Sequence, residues 1–267
     1  MSRRAFAKRP WSAVCYLSVA TLAVGCGGGG TPSGSGLPTG PTGPTGGPPV
    51  LINGVENGTR WLFTLDVNSA SAGSVGNTGA TDLQALAYDA TGATLYAVDA
   101  ASPNSDQLLA IDPARGVGTA VGAIGFGGTT TGTAVRGLAF APPSTLYGVV
   151  DGSFQLITID TTTGAGTLVG GLGGAAGSIL SLAFDPSSNT LYGTSGTELF
   201  TINTTSGAAT VVGTTGVRID GLAIEATSRM LYGTGSGILY GIDKATGATG
   251  PIGMVTPPGT WTGLAPR

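Results

Sequence analysis

The feature that most constrains the fold is an internal repeat of about 42 residues. Each unit runs through a Leu-Ala-aromatic stretch, a turn, a Leu-Tyr-Gly stretch, an apolar strand ending in Ile-Asp, a Thr-x-x-Gly turn and a Val-Gly strand. Successive recurrent leucines are separated by 52, 44, 40 and 42 residues. Four short strands at this period are typical of one blade of a β-propeller. The recurrent leucines are Leu86, Leu138, Leu182, Leu222 and Leu264.

The phase of the repeat predicts how the ring closes. The chain begins with a third and a fourth strand, between Trp61 and Gly76, and it ends on a first strand at Leu264. The stretch Val50-Leu51-Ile52 supplies the missing second strand. We therefore expect an all-β, five-bladed β-propeller over residues 50–267, closed by its N- and C-terminal strands, which leaves no open end in the ring. An open β-repeat array is the alternative.

Composition excludes several classes of function. All 14 acidic residues follow Cys26, whereas four of the 11 basic residues precede the first apolar run, so the remaining seven leave a net charge of about −7. That charge repels nucleic acid, and no nucleic-acid partner is expected. The chain has no histidine, which rules out a Ser-His-Asp triad and histidine metal ligands. We expect no cofactor and no metal.

The N-terminus resembles an export signal. A basic stretch is followed by an apolar stretch of 14 residues, Trp11 to Val24, a length typical of a signal peptide over residues 1–25. It ends in Leu-Ala-Val-Gly-Cys, similar to a bacterial lipobox with Cys26 as the lipidated residue. Ser2 to Lys8 resembles a twin-arginine motif, and the general secretory route stays open. A Gly/Pro-rich tether completes residues 26–49. These features predict a lipoprotein of the bacterial cell envelope, anchored to a membrane through Cys26 at the outer membrane, the periplasmic face or the cell surface.

Two recurrent features and one single residue have a structural explanation. The Asp-x-x-Thr-Gly stretches, such as that starting at Asp160, fit a hairpin turn better than a calcium loop. The tyrosines in phase, such as Tyr96, fit packing between blades. Trp261 is the best candidate for a sugar-stacking aromatic, and a plug over the closure is the competing interpretation. Asp99, Asn104 and Asp106 supply hard oxygens that could bind Ca²⁺, but their spacing matches no calcium loop.

Two stretches of one repeat carry a family resemblance. The stretches Ser181-Leu182-Ala183-Phe184-Asp185-Pro186 and Leu199-Phe200-Thr201-Ile202 with Val211-Val212-Gly213 resemble extracytoplasmic bacterial repeat proteins of unknown function, akin to YVTN and NHL propellers. The resemblance covers essentially residues 50 to 267. It implies a binding or scaffold module and supplies no catalytic motif.

The predicted site lies where the chain enters successive first strands, because propeller loops crowd one rim around the central channel. We expect a binding or scaffold module for an unknown small molecule, glycan or protein. A lectin-like carbohydrate binder is the second interpretation, and a hydrolase using the carboxylates of Asp82 and Asp220 is the third. The candidate rim residues are Asp82, Gln84, Arg136, Arg218, Asp220 and Thr262.

Overall fold

The computed structural model describes residues 51–56, 60–100, 106–126, 134–174 and 177–266. The predicted signal peptide, Cys26, the tether and Asn104 lie outside them. The secondary-structure elements within these ranges are all β-strands. No helix there is long and apolar enough to span a membrane. The strands are β1 (Leu51–Glu56), β2 (Trp61–Asp66), β3 (Ala72–Asn77), β4 (Leu83–Tyr88), β5 (Leu95–Asp99), β6 (Gln107–Ile111), β7 (Gly118–Ala123), β8 (Val135–Ala141), β9 (Thr145–Val150), β10 (Gln155–Ile159), β11 (Gly166–Gly171), β12 (Ser181–Asp185), β13 (Thr190–Ser195), β14 (Glu198–Ile202), β15 (Ala209–Thr214), β16 (Gly221–Ile224), β17 (Leu231–Gly235), β18 (Ile238–Ile242), β19 (Thr249–Met254) and β20 (Trp261–Pro266).

The strands form five antiparallel four-stranded sheets, so the prediction of a five-bladed β-propeller is confirmed. Blades 1 to 4 are β4–β7, β8–β11, β12–β15 and β16–β19, each in chain order. Blade 5 has the order β20-β1-β2-β3, in which Leu264 pairs with Gly54. The two ends of the chain therefore complete one blade, as the phase of the repeat predicts, and the open array is excluded. The innermost strands β4, β8, β12, β16 and β20 contact one another in a closed circle.

Apolar side chains fill the space between neighbouring blades. Each of five buried clusters draws its residues from two adjacent sheets. Tyr96 of blade 1 stacks on Phe140 of blade 2, with ring centroids 6.4 Å apart, which confirms the packing role of that tyrosine. Trp261 is only 1% exposed and meets Phe63 edge to face at 5.1 Å. The tryptophan is therefore a core residue at the closure and offers no surface to a sugar.

The hairpin turns between third and fourth strands follow the predicted chemistry. The carboxylate of Asp160 accepts hydrogen bonds from the backbone N–H groups of Thr162 and Thr163, at 2.8 Å each. Gly164 then adopts a φ of +81°, which favours glycine. Asn203 accepts the same two bonds in its own turn. Turn formation is thus sufficient to explain the recurrent acid.

Those turns also join the blades. A Cβ atom on Gly122, in the outer strand of blade 1, would lie 2.1 Å from the carbonyl oxygen of Thr163 in blade 2. A Cβ atom on Gly164 would lie 2.6 Å from the carbonyl oxygen of Gly122. Backbone therefore packs on backbone, and both positions require glycine. The same pairing recurs at the junctions Gly76 with Gly116, Gly170 with Gly207 and Gly213 with Gly247.

Candidate functional site

The recurrent leucines close the central channel. They project from the five innermost strands and line a narrow cavity on the axis of about 40 Å³. None of the five is more than 2% exposed, so they divide the channel into two separate mouths. One mouth lies where the innermost strands begin, and the other lies where they end. We call these the polar mouth and the apolar mouth because of the side chains that line them.

The polar mouth is built by one residue from each blade, placed two positions before the recurrent leucine. Together with Arg218 and Thr260, these five residues line a cavity of about 110 Å³. They supply an amide, a guanidinium group, an isobutyl group, a carboxylate and a hydroxyl group. We call this set the mouth ring, and its members in blade order are Gln84, Arg136, Leu180, Asp220 and Thr262.

β-Bulges position the mouth ring. In blades 1, 2 and 5 the first strand contains one extra residue relative to its partner strand, and that residue is Gln84, Arg136 or Thr262. In blades 3 and 4, the backbone N–H groups of Leu180 and Asp220 donate hydrogen bonds across to the second strand just before the regular pairing begins. Bulges redirect side chains and are common beside functional sites.

The structure brings together five of the six rim residues that the sequence suggested. Gln84, Arg136, Arg218, Asp220 and Thr262 all line the polar cavity. Asp82 is not one of the lining residues described, and its Oδ1 instead accepts a hydrogen bond of 2.5 Å from Gln84 Nε2. Sequence reasoning missed Leu180 and Thr260. The signal that identifies Leu180 is its spacing from Leu182, which matches the spacing in the other four blades.

Arg136 is the centre of a network that crosses three blades. Its Nη1 donates a hydrogen bond to Gln84 Oε1 of blade 1, at 2.7 Å. Its Nε lies 3.5 Å from Asp151 Oδ2, within ion-pair distance, but it lacks hydrogen-bond geometry. Asp151 Oδ1 in turn accepts a short hydrogen bond from the hydroxyl group of Ser178, at the start of blade 3. These contacts fix the guanidinium group at the edge of the cavity.

Asp220 has its own charged partner. Arg218 Nε lies 2.6 Å from Asp220 Oδ1, and both residues belong to blade 4. The Arg218 side chain is 64% exposed, whereas that of Asp220 is 13% exposed. A pair with one partner so exposed contributes only about 0–1 kcal/mol to stability. The ion pair therefore holds the carboxylate of Asp220 at the cavity and contributes little to the stability of the fold.

Thr262 contributes an unused polar atom. Its hydroxyl oxygen is buried, and no hydrogen-bond partner is found for it among the described residues. Buried polar atoms are usually hydrogen-bonded, because leaving one unsatisfied costs about 1–3 kcal/mol. Thr262 lines the polar cavity, but its unpartnered hydroxyl oxygen is itself shielded from solvent.

Carboxylates behind the mouth ring hold the strand ends. Asp99 accepts hydrogen bonds from the backbone N–H groups of Thr81 and Asp82, at 3.0 and 2.8 Å. Asp106 is 1% exposed and accepts one from Val135. Burial raises the pKa of Asp106, and this effect exceeds the lowering by Val135 and Arg136. In the part of the chain that the structure describes, no three His, Cys, Asp or Glu residues are grouped to hold a metal ion.

The mouth ring differs chemically at every blade, although its surroundings repeat. The leucine level has the same residue five times, and the position before it is always glycine, alanine or serine. A position that serves only the repeated fold carries the same kind of residue in every blade, because each blade meets the same neighbours. Five different side chains at equivalent positions are therefore poorly explained by packing. They are suited to a ligand that is itself asymmetric.

The apolar mouth lies at the opposite end of the channel. Its cavity of about 320 Å³ is lined by residues two positions after each recurrent leucine, with prolines and an arginine at the edge. In sequence these positions look like core, and Tyr88 and Ile224 are indeed buried, whereas the partial exposure of Phe140, Phe184 and Pro266 was not predicted. The five residues are Tyr88, Phe140, Phe184, Ile224 and Pro266.

The fold and the site together define a five-bladed β-propeller with one polar and one apolar mouth. Comparison with solved structures supports the fold alone. One similar structure is the crystal structure of a nidogen/laminin complex, at 12% sequence identity and a TM-score of 0.53, with 81% of this chain and 84% of that chain covered. Another is a structural genomics protein of unknown function from Bacteroides thetaiotaomicron, at 14% identity and a TM-score of 0.52.

The second comparison covers 73% of this chain but only 56% of the Bacteroides protein, so the chain spans little more than half of that neighbour. No family model and no curated protein sequence matches the chain. The residues of the polar mouth are therefore the main evidence about function.

Proposed function

We propose that this protein is an extracytoplasmic binding module, attached to a membrane through lipid on Cys26, whose mouth ring holds a small polar ligand. The observation that carries the binding proposal is the chemical asymmetry of the ring within a repeated fold. Hydrogen-bond donors, hydrogen-bond acceptors and charged groups of both signs line one small cavity. Such a combination is usual for sites that orient a ligand.

The direction of the chain distinguishes the two mouths. Ile52 pairs with Pro266, which lines the apolar mouth, whereas Glu56 pairs with Trp261 near the polar mouth. The described part of the chain therefore enters the propeller at its apolar end, opposite the mouth ring.

The binding proposal is tested by a thermal-shift screen of small polar metabolites on the purified mature protein. A ligand present at 100 times its dissociation constant stabilises the folded state by about 2.7 kcal/mol, a shift that melting detects easily. The triple variant Arg136→Ala, Arg218→Ala, Asp220→Ala should lose the hits. Arg115→Ala is the matched control, since Arg115 is an exposed arginine paired with Asp112 on an outer turn. Hits retained by the triple variant would refute the proposed site.

The same screen separates the other interpretations. A lectin-like site would respond to sugars, although none of the described residues that line the polar cavity is aromatic. A hydrolase would turn over a glycoside or an ester and lose activity in Asp82→Asn or Asp220→Asn. We favour binding because both carboxylates are engaged with a neighbouring side chain.

Attachment is tested by fractionating cells that express wild type or Cys26→Ser. The wild type should carry lipid and sediment with membranes, and the variant should be unlipidated and released. The anchor would be contradicted if wild type and Cys26→Ser were both unlipidated and associated equally with membranes.

A further inference from the structure

We infer that the ligand of the mouth ring is a small zwitterion of the α-amino-acid type, with its carboxylate on Arg136 and its ammonium group on Asp220. This inference rests on the proposed function, since it names the ligand class of the same site.

Arg136 and Asp220 carry opposite charges but are not paired with each other. Arg136 contacts Gln84 and Asp151, whereas Asp220 contacts Arg218. Leu180 of blade 3 stands between them in the order of the ring. The cavity therefore has the guanidinium group of Arg136 on one side of Leu180 and the Arg218–Asp220 pair on the other. A molecule that carries both a carboxylate for Arg136 and an ammonium group for Asp220 can bond on both sides, whereas an anion, a cation or a neutral sugar cannot make both charged contacts.

Both charged residues retain bonding capacity for a ligand. A guanidinium group has five N–H donors, and the contacts with Gln84 and Asp151 involve two of them. A carboxylate accepts about four hydrogen bonds, and Arg218 Nε occupies one position on Asp220 Oδ1. Arg136 can thus donate to a carboxylate, and Asp220 can accept from an ammonium group. Both contacts are charge-assisted, the stronger class of hydrogen bond.

The remaining ring residues set the size of the ligand. The cavity of about 110 Å³ is small, which favours a molecule with few heavy atoms. Leu180 offers apolar contact to a short aliphatic segment. The amide of Gln84, which already bonds Asp82 and Arg136, keeps one N–H donor for a hydroxyl group. Alanine and serine are therefore the natural probes.

The test is isothermal titration of the full mature protein with five probes. These are L-alanine, L-serine, alanine methyl ester as the cation, N-acetylalanine as the anion, and glucose as a neutral polar molecule. We expect alanine or serine to bind at least tenfold more tightly than either blocked form and than glucose. Equal binding of the methyl ester or of N-acetylalanine would overturn the inference.

Two variants assign the two charged contacts separately. Arg136→Gln should remove the preference for alanine over its methyl ester, and Asp220→Asn should remove the preference for alanine over N-acetylalanine. Arg115→Gln is the matched control and should leave all affinities unchanged. Because the readout is a change of preference between two probes, a general loss of folded protein does not mimic it. Preferences unchanged in both variants would overturn the assignment.

The outcomes distinguish this inference from the proposed function. Binding of glucose alone, abolished in the triple variant Arg136→Ala, Arg218→Ala, Asp220→Ala, would overturn the zwitterion and leave the mouth ring as a binding site. Failure of all five probes would overturn the zwitterion as well. The broader metabolite screen then decides whether the ring binds any small polar molecule.

Discussion

Arg136 Nη1 donates a hydrogen bond of 2.7 Å to Gln84 Oε1 across the boundary between blades 2 and 1. The two residues occupy equivalent positions in the repeat, each on a β-bulge two residues before a recurrent leucine. Equivalent positions in a repeated fold thus hold different and mutually bonded groups. The bond links the first strands of two blades and orients the guanidinium group that faces the polar cavity.

A double-mutant cycle on Gln84→Ala and Arg136→Ala should show that the two residues act together. The bond joins a charged donor to a neutral acceptor at a partly buried place, so we expect a coupling energy of about 0.5–2 kcal/mol in urea unfolding. Gln84→Ala paired with Arg115→Ala should be additive, because Arg115 lies on an outer turn. Additive effects for Gln84 and Arg136 would show that the bond does not contribute.

The glycine contacts between blades predict a sharp contrast between two alanine substitutions. Gly122→Ala places a Cβ atom 2.1 Å from the carbonyl oxygen of Thr163, and backbone must move to admit it. We expect a loss of about 2 kcal/mol or more in the free energy of unfolding. Gly171→Ala is the matched control, with no atom within 4 Å of the new Cβ, and it should stay within about 0.5 kcal/mol of wild type. Similar melting of the two variants would contradict the packing.

The ion pair between Lys244 and Asp185 predicts a pH-dependent stability difference. Lys244 Nζ lies 2.6 Å from Asp185 Oδ2, whose side chain is 1% exposed. Burial raises the pKa of Asp185, but hydrogen bonds from Lys244 and Ser187 outweigh it and lower the pKa to about 2. A lowered folded-state pKa adds stability that is present above the unfolded pKa of about 4 and lost as pH falls towards 2.

Lys244→Met should therefore destabilise the protein by about 1–3 kcal/mol at pH 7, because it leaves a buried carboxylate without its cation. The difference from wild type should shrink as pH falls towards 2, because Asp185 is protonated at a higher pH in the variant, which lacks the lowering effect of Lys244, and only near pH 2 in wild type. Unfolding in urea at several pH values measures it. A difference that is constant over this range would contradict the assignment of the pair.

Closure of the ring predicts a large effect at the C-terminus. Leu264 is 2% exposed and pairs with Gly54 of β1, so Leu264→Ala removes contacts inside the closing blade. We expect a loss of about 2–5 kcal/mol. Met254→Ala, at a side chain that is 66% exposed, should change stability by less than about 0.5 kcal/mol. An unchanged melt for Leu264→Ala would mean that the last strand does not stabilise the ring.

The fold was predictable because the repeat makes its own pattern visible. The third strand recurs five times, and the repeat is out of phase at the two ends. These two observations predict closure by β20 before any contact between residues is known. The rim residues Arg136 and Asp220 were predictable for the same reason, since polar side chains before a buried first strand must lie at its exposed end.

Other parts of the site depend on contacts between distant residues. Leu180 resembles core in sequence, and only its place in the ring shows that it lines the cavity. Asp151 pairs with Arg136 and also accepts a hydrogen bond from Ser178 at the start of blade 3. No local sequence pattern encodes this contact between loops. Phe184 and its equivalents follow a core leucine, so the sequence does not show that they reach the apolar mouth.

We place the ligand site in the asymmetric mouth ring and not in the apolar mouth. Ligand-induced thermal shifts over one metabolite panel distinguish the two sites when wild type is compared with the variant Arg136→Ala, Arg218→Ala, Asp220→Ala and with Phe184→Leu. We expect ligands that stabilise wild type to leave the ring variant unstabilised and still to stabilise Phe184→Leu. The site would instead lie in the apolar mouth if ligands stabilise the ring variant as strongly as wild type and fail to stabilise Phe184→Leu.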